Sequence, residues 1–219
     1  TGDFDKSDIE QRIIDGFSGL INPDSERPRV TYDIPEHAET LFGVATDPEM
    51  QVEQVQVFHK MPIRPQGTHG SYRRTIVENL YGSMLNRPLR ELAQSPEAPF
   101  LGAGASQGIF VPTREVYMIG AAVAPGGLKE GLEALFAESA RIAQQGFTET
   151  EFEREKSTQL RSFERIYTEK ATQASEMFVE EFQRGFLENE SIPGIDYEWA
   201  LYQRFMPEIT LDEVNAVGG

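Results

Sequence analysis

The sequence predicts an α+β fold, with antiparallel hairpins alternating with helices and the helices sharing one face of the sheet. Three observations carry that prediction. A β-branched and aromatic run starting at Val116 stops at Pro125-Gly126-Gly127, and a helix follows at once. Ahead of it, the runs 100–111 and 115–123 flank Pro112-Thr113-Arg114 and read as a hairpin. Behind it, Gly146 can close the helix, and Thr148 with Glu151 forms a Thr-x-x-Glu capping box that opens the next one.

Taken in order, the chain opens on a helix in which Ser7 and Glu10 form a capping box and Ile9, Ile13, Ile14 and Phe17 share a face. Residues 22–35 are polar and hold Pro23, Pro28 and Pro35, so they read as an extended connector. Residues 39–47 are expected to form a strand that ends at Pro48. Residues 51–60 should be its antiparallel partner, with Val55, Val57 and His59 on one side and Gln54, Gln56 and Phe58 on the other. Ile76, Val77, Leu80, Met84 and Leu85 predict a helix over 71–86 that packs on the same sheet as the first helix. Pro88 removes an amide donor and crowds the preceding turn, so the helix should break at Arg87-Pro88 and resume over 89–94. The hairpin follows, its first strand rich in Gly102, Gly104 and Gly108.

In the helix after Gly127, Leu128, Leu132, Leu135, Phe136, Ser139 and Ile142 form the inward face. Residues 149–189 stay helical in pattern. One rod of that length would reach roughly 60 Å at 1.5 Å per residue, so a break is expected at 168–172. Residues 197–205 form a short helix with Trp199, Leu201, Tyr202 and Phe205, stopped by Pro207; its aromatic face is either core or a docking surface. Thr210 and Glu213 make a last capping box. Both ends look cut, since a strand would normally precede the first helix and the last one runs out at Gly218-Gly219. The expected organisation is a single domain over 1–219 excised from a longer chain: a first helix and connector (1–35), strands with one helix (36–124), and a helical part (125–219).

Composition bounds the chemistry. A chain of 219 residues can bury a sizeable core. It has no cysteine, which excludes disulfides and Cys-ligated zinc or iron-sulfur centres. No apolar run approaches the ~20 residues of a membrane helix. The net charge of −16 opposes nucleic acid and anionic membranes as partners; it keeps the protein soluble or attracts basic substrates. Gly102-Ala103-Gly104 is not followed by a helix and fails as a dinucleotide loop, and neither a Gly-Lys-Ser/Thr nor a Gly-x-Ser-x-Gly elbow occurs.

Three segments recur in a fixed order: Gly2-Asp3-Phe4-Asp5 leading to a helix that ends in Phe17, Leu85-Asn86 with Leu89-Arg90-Glu91, and the strand, loop and helix run that closes on Gly146-Phe147-Thr148-Glu149-Thr150-Glu151. Together they resemble the insulinase/pitrilysin-type zinc metallopeptidases, or inverzincins, with the mitochondrial-processing-peptidase-like fold. Within them, the match is to the non-catalytic domain that follows the His-x-x-Glu-His domain in long bacterial zinc proteases. The resemblance implies a mixed, mostly antiparallel sheet of about six strands with helices on one face. It implies an inert domain that helps form a chamber around peptide substrate, bound as an added strand or on the concave side of the sheet. Its partners would be the catalytic domain and the C-terminal half of the same parent chain, and its compartment the periplasm.

The family's signature puts two imidazoles one turn apart to bind zinc, with the motif's Glu activating water. Here His37, His59 and His69 stand in no such pattern, and the carboxylates of 151–155 read as a solvated face. The expectation is therefore no catalytic residue, no metal ligand and no cofactor in this chain, with zinc in the preceding catalytic domain of the parent. The resemblance offers one possible peptide contact, an Arg and a Tyr around Leu-Arg-Glu. Arg90 matches the first; Phe100 occupies the second and lacks the hydroxyl that would hydrogen-bond a peptide carbonyl. Arg90 also reads as a helix-end cation. The alternative function is a non-proteolytic scaffold or assembly module of the same fold. A His-x-x-Glu-His in the preceding domain would separate the two.

Overall fold

The computed structural model describes residues 3–25, 27–28, 30–188 and 190–218; Gly2, Asn189 and Gly219, which end runs read above, lie outside them. At the centre is an antiparallel sheet of three strands in the order β1-β3-β2: β1 (Glu53–Pro62), β2 (Gly102–Val111) and β3 (Arg114–Val123). β2 and β3 form the expected hairpin, with Val111 opposite Arg114 and a bulge between Ile109 and Val111. β3 is central and pairs with β1 along its whole length, from Val123 opposite Glu53 to Arg114 opposite Pro62. Strand alternation then buries Glu115, Ile119, Ala121 and Val123 on the face that the helices cover.

The sheet thus has three strands among the described residues, where about six were expected, and 39–47 form none of them. Leu41, Phe42 and Val44 are exposed. An apolar run becomes a strand only where an edge takes its amides and a core takes its side chains, and here it meets neither. The connector is instead held by side chains. Arg114 donates to the Ile34 carbonyl at 3.0 and 3.2 Å and pairs with Asp33 and Glu36 at 3.1 and 3.3 Å, while Lys60 donates to the Pro35 carbonyl at 3.2 Å.

The helices are α1 (Lys6–Phe17), α2 (His69–Ala93), α3 (Leu128–Gln145), α4 (Glu149–Thr168), α5 (Ser175–Glu188), α6 (Ile195–Glu208) and α7 (Leu211–Asn215). α2 does not break at Pro88. A proline inside a helix costs about 3 kcal/mol, but Leu85 and Leu89 on either side are fully buried and contribute roughly 1.5–3 kcal/mol each, enough to carry the helix through. α1 buries no residue and leaves Ile13, Ile14 and Phe17 exposed, so it does not share the sheet with α2. Its cap is Asp5 rather than Ser7: the Asp5 carboxylate accepts the Asp8 N–H at 3.1 Å.

α3 meets β3 through Gly131, where a Cβ would stand 2.5 Å from Val123 Cγ1. Gly131, Leu135 and Ile142 are the buried line; Phe136 lies about 100° round the helix from it and, like Leu128, stays exposed. The forty-residue helical run divides where expected, α4 ending at Thr168 and a 3-10 turn spanning Lys170–Thr172. α6 continues through Pro207 to Glu208 and buries Leu201, Tyr202, Phe205 and Met206, so that face is core. Tyr202 stacks on Phe163 of α4 at 4.1 Å between ring centroids.

Candidate functional site

β2 is an edge strand, and α2 runs beside its free edge. Asn86 bridges the two. Its Nδ2 donates to the Ala105 carbonyl at 2.8 Å, and its Oδ1 accepts the Ala105 N–H at 2.7 Å. One amide thus takes the outward-facing hydrogen-bond pair that a fourth strand would take. In an antiparallel ladder the outward pair recurs every second residue, so the next is at Gln107.

Beyond Asn86 a groove of about 400 Å³ opens between helix and strand, lined by Asn79, Gly82 and Ser83 of α2, Gln107 and Gly108 of β2, and Tyr117 of β3. Its width has a simple cause: a Cβ placed on Gly82 or Gly108 would meet nothing within 4 Å. Burial pushes the Tyr117 hydroxyl up to about 12, so it remains a proton donor through the physiological range.

A charged brace closes one end. Glu115, 2% exposed, accepts the Arg64 backbone N–H at 2.9 Å, its Nε at 2.8 Å and its Nη2 at 2.6 Å. Arg64 Nη1 reaches Glu78 at 2.5 Å, and Arg74 approaches the same carboxylate at 3.9 Å. The Glu78 hydrogen bond, with Glu115 behind it, raises the Arg64 guanidinium above its ordinary value. Two acids and two bases cancel. The groove therefore offers neutral amides and hydroxyls beside an open strand edge, which suits the main chain of an extended polypeptide.

The sequence-derived site residues separate here. Arg90 is exposed in the last turn of α2, four residues past Asn86 and so on the same helical face, one turn further along. Phe100 is 2% exposed and belongs to the core. His37 lies in the connector, His59 on β1, and His69 at the start of α2, its Nε2 2.6 Å from the Tyr197 hydroxyl. Among the described residues no group of three His, Asp or Glu could hold a metal ion. Sequence reasoning did not single out Asn86, Gly82, Arg64 or Glu115 as a site. The available signal was a glutamate on the inward register of a strand and an asparagine on a helix that borders an edge; nothing local links Asn86 to Ala105.

No protein-family model matches the chain. By sequence it is similar to a PQQL-like zinc protease of Arabidopsis thaliana, 23% identical over 192 residues, which are 87% of this chain and 17% of that protein. By fold it is similar to the periplasmic protease PqqL of Escherichia coli, with a TM-score of 0.83 at 21% identity over 99% of this chain and 24% of that one. It is as similar to a predicted insulinase family protease of Yersinia pestis, with a TM-score of 0.83 at 16% identity over 97% of this chain and 46% of that one. In sequence and in fold it is thus similar to insulinase-type zinc proteases. It spans only 17 and 23% of the two curated relatives it matches. α2 begins at His69 and carries no second histidine.

Proposed function

We propose that this chain is a catalytically inactive companion domain of a zinc metalloendopeptidase and forms part of the wall that encloses peptide substrate. The observation that carries the reading is an insulinase-type fold that keeps an open strand edge beside a neutral groove. In this reading zinc and the activated water belong to a catalytic domain elsewhere in the same parent chain, in the periplasm. The peptide lies extended along β2, its main chain exchanging hydrogen bonds with Gln107, its course bounded by Asn86 and by the Arg64–Glu115 brace. Arg90, one turn past Asn86 on the same face of α2, meets the end of the peptide there; Phe100 supports the wall from the core.

The test uses the parent protein. Gly82→Leu places a side chain in open groove space, so KM for an unfolded peptide should rise at least tenfold while kcat and zinc content stay within about twofold of wild type. An unchanged KM would refute the groove as a peptide site. Absence of zinc-dependent cleavage by the wild-type parent would favour the non-proteolytic scaffold.

A further inference from the structure

α5 buries none of its 14 residues. Phe178, Phe182 and Phe186 follow one another at four-residue spacing, with Val179 beside them, so they form one apolar stripe along the helix. All four are exposed, Phe182 at 59% and Phe186 at 88%. The helix is nonetheless held in place at its feet. Lys170 before it pairs with Asp196 after it, and Tyr167 stacks on Trp199 at 5.6 Å. The loop beyond α5 folds back on it as well: Arg184 reaches Glu190 at 2.8 Å, and Ile192 packs where a Cβ on Gly185 would stand. A fixed helix that presents three aromatic rings to solvent has the form of a recognition element.

Charge selects the occupant. By helical spacing Glu176 flanks the stripe beside Val179, and Glu181 with Glu188 flanks it on the other side, while Arg184, paired with Glu190, lies on the opposite face of a chain of net charge −16. A second copy would bring the same acidic rim, and like charges across an interface cost several kcal/mol. An anionic membrane would repel it too. We propose that the phenylalanine stripe of α5 docks a cationic amphipathic polypeptide segment, whose apolar face covers the rings and whose lysines or arginines meet the glutamate rim. No residue of α5 lines the α2–β2 groove, and the proposal does not depend on the peptidase reading.

The test titrates the intact chain with a synthetic 18-residue amphipathic helix of leucine and lysine, and with its leucine and glutamate counterpart, using Trp199 fluorescence and calorimetry. The Leu/Lys peptide should bind and the Leu/Glu peptide should not. Phe182→Ser with Phe186→Ser should weaken binding at least tenfold at unchanged Tm, since neither ring is buried. If that double variant does not fold, Phe186→Ala alone should weaken binding severalfold. Replacing Glu176, Glu181 and Glu188 by glutamine should weaken binding and flatten its salt dependence. Equal binding by the phenylalanine variants would reduce the effect to general charge attraction and overturn the proposal. So would stripe-dependent dimerisation in the ultracentrifuge, or stripe-dependent partition into phosphatidylglycerol vesicles.

Discussion

Glu115→Ala removes an acceptor that three donors of Arg64 share, at 2.9, 2.8 and 2.6 Å. Removing one partner of a buried ion pair costs about 3–5 kcal/mol, because the charge left behind stays desolvated. Arg64 keeps Glu78 at 2.5 Å and its side chain is 32% exposed, so water reaches it and the lower end applies, about 3 kcal/mol. At about 2–4 °C per kcal/mol for a chain of this size, Tm should fall by roughly 6–12 °C. Glu115→Gln keeps the shape but sets an amide donor against guanidinium donors, for an intermediate loss of about 1–3 kcal/mol. Urea unfolding followed by circular dichroism measures each. In a double-mutant cycle, Arg64→Ala with Glu115→Ala should cost clearly less than the sum of the singles. A loss under about 1 kcal/mol for Glu115→Ala, or strict additivity, would refute the claim that this brace holds the groove end.

Gly82→Ala should stabilise α2 by about 0.5–1 kcal/mol, because nothing lies within 4 Å of its Cβ position; any loss of stability would show that the groove is closed there. Gly131→Ala should cost about 1–3 kcal/mol, since its Cβ would stand 2.5 Å from Val123 Cγ1; a neutral result in urea melts would contradict the close approach of α3 to β3. Hydrogen bonds from Arg73 hold Glu213 at about 2, below the ordinary carboxylate value of about 4.5. A depressed value stabilises the fold above the unfolded value, and that stability is lost as pH falls from about 4.5 to about 2. Glu213 is 38% exposed, so solvent screening reduces the contribution to about 1 kcal/mol. The advantage of wild type over Glu213→Gln should therefore shrink between pH 6 and pH 3; a constant gap would deny the linkage.

Local signals were legible in the sequence. The boxes at Thr148 with Glu151 and at Thr210 with Glu213 form as read, each glutamate accepting its threonine's N–H, at 2.8 and 2.9 Å, because cap and partner are three residues apart. The hairpin and the break after Thr168 were likewise written in a few adjacent residues. What failed depends on distant partners. The 39–47 run has strand composition but no edge to join, and Pro88 stays helical because residues far along the chain bury Leu85 and Leu89. The groove shows the same limit. Arg64 and Glu115 are 51 residues apart and Asn86 and Ala105 are 19 apart, so only the fold brings them together. Arg90 and Phe100 were chosen by pattern; burial then divides them, one on the surface and one in the core.

Metal content of the isolated chain tests most directly the proposal that it is a companion domain without chemistry of its own. After incubation with excess zinc and exhaustive dialysis, atomic absorption should find less than about 0.1 zinc per chain. One zinc per chain, lost on replacing His59 or His69, would contradict the account.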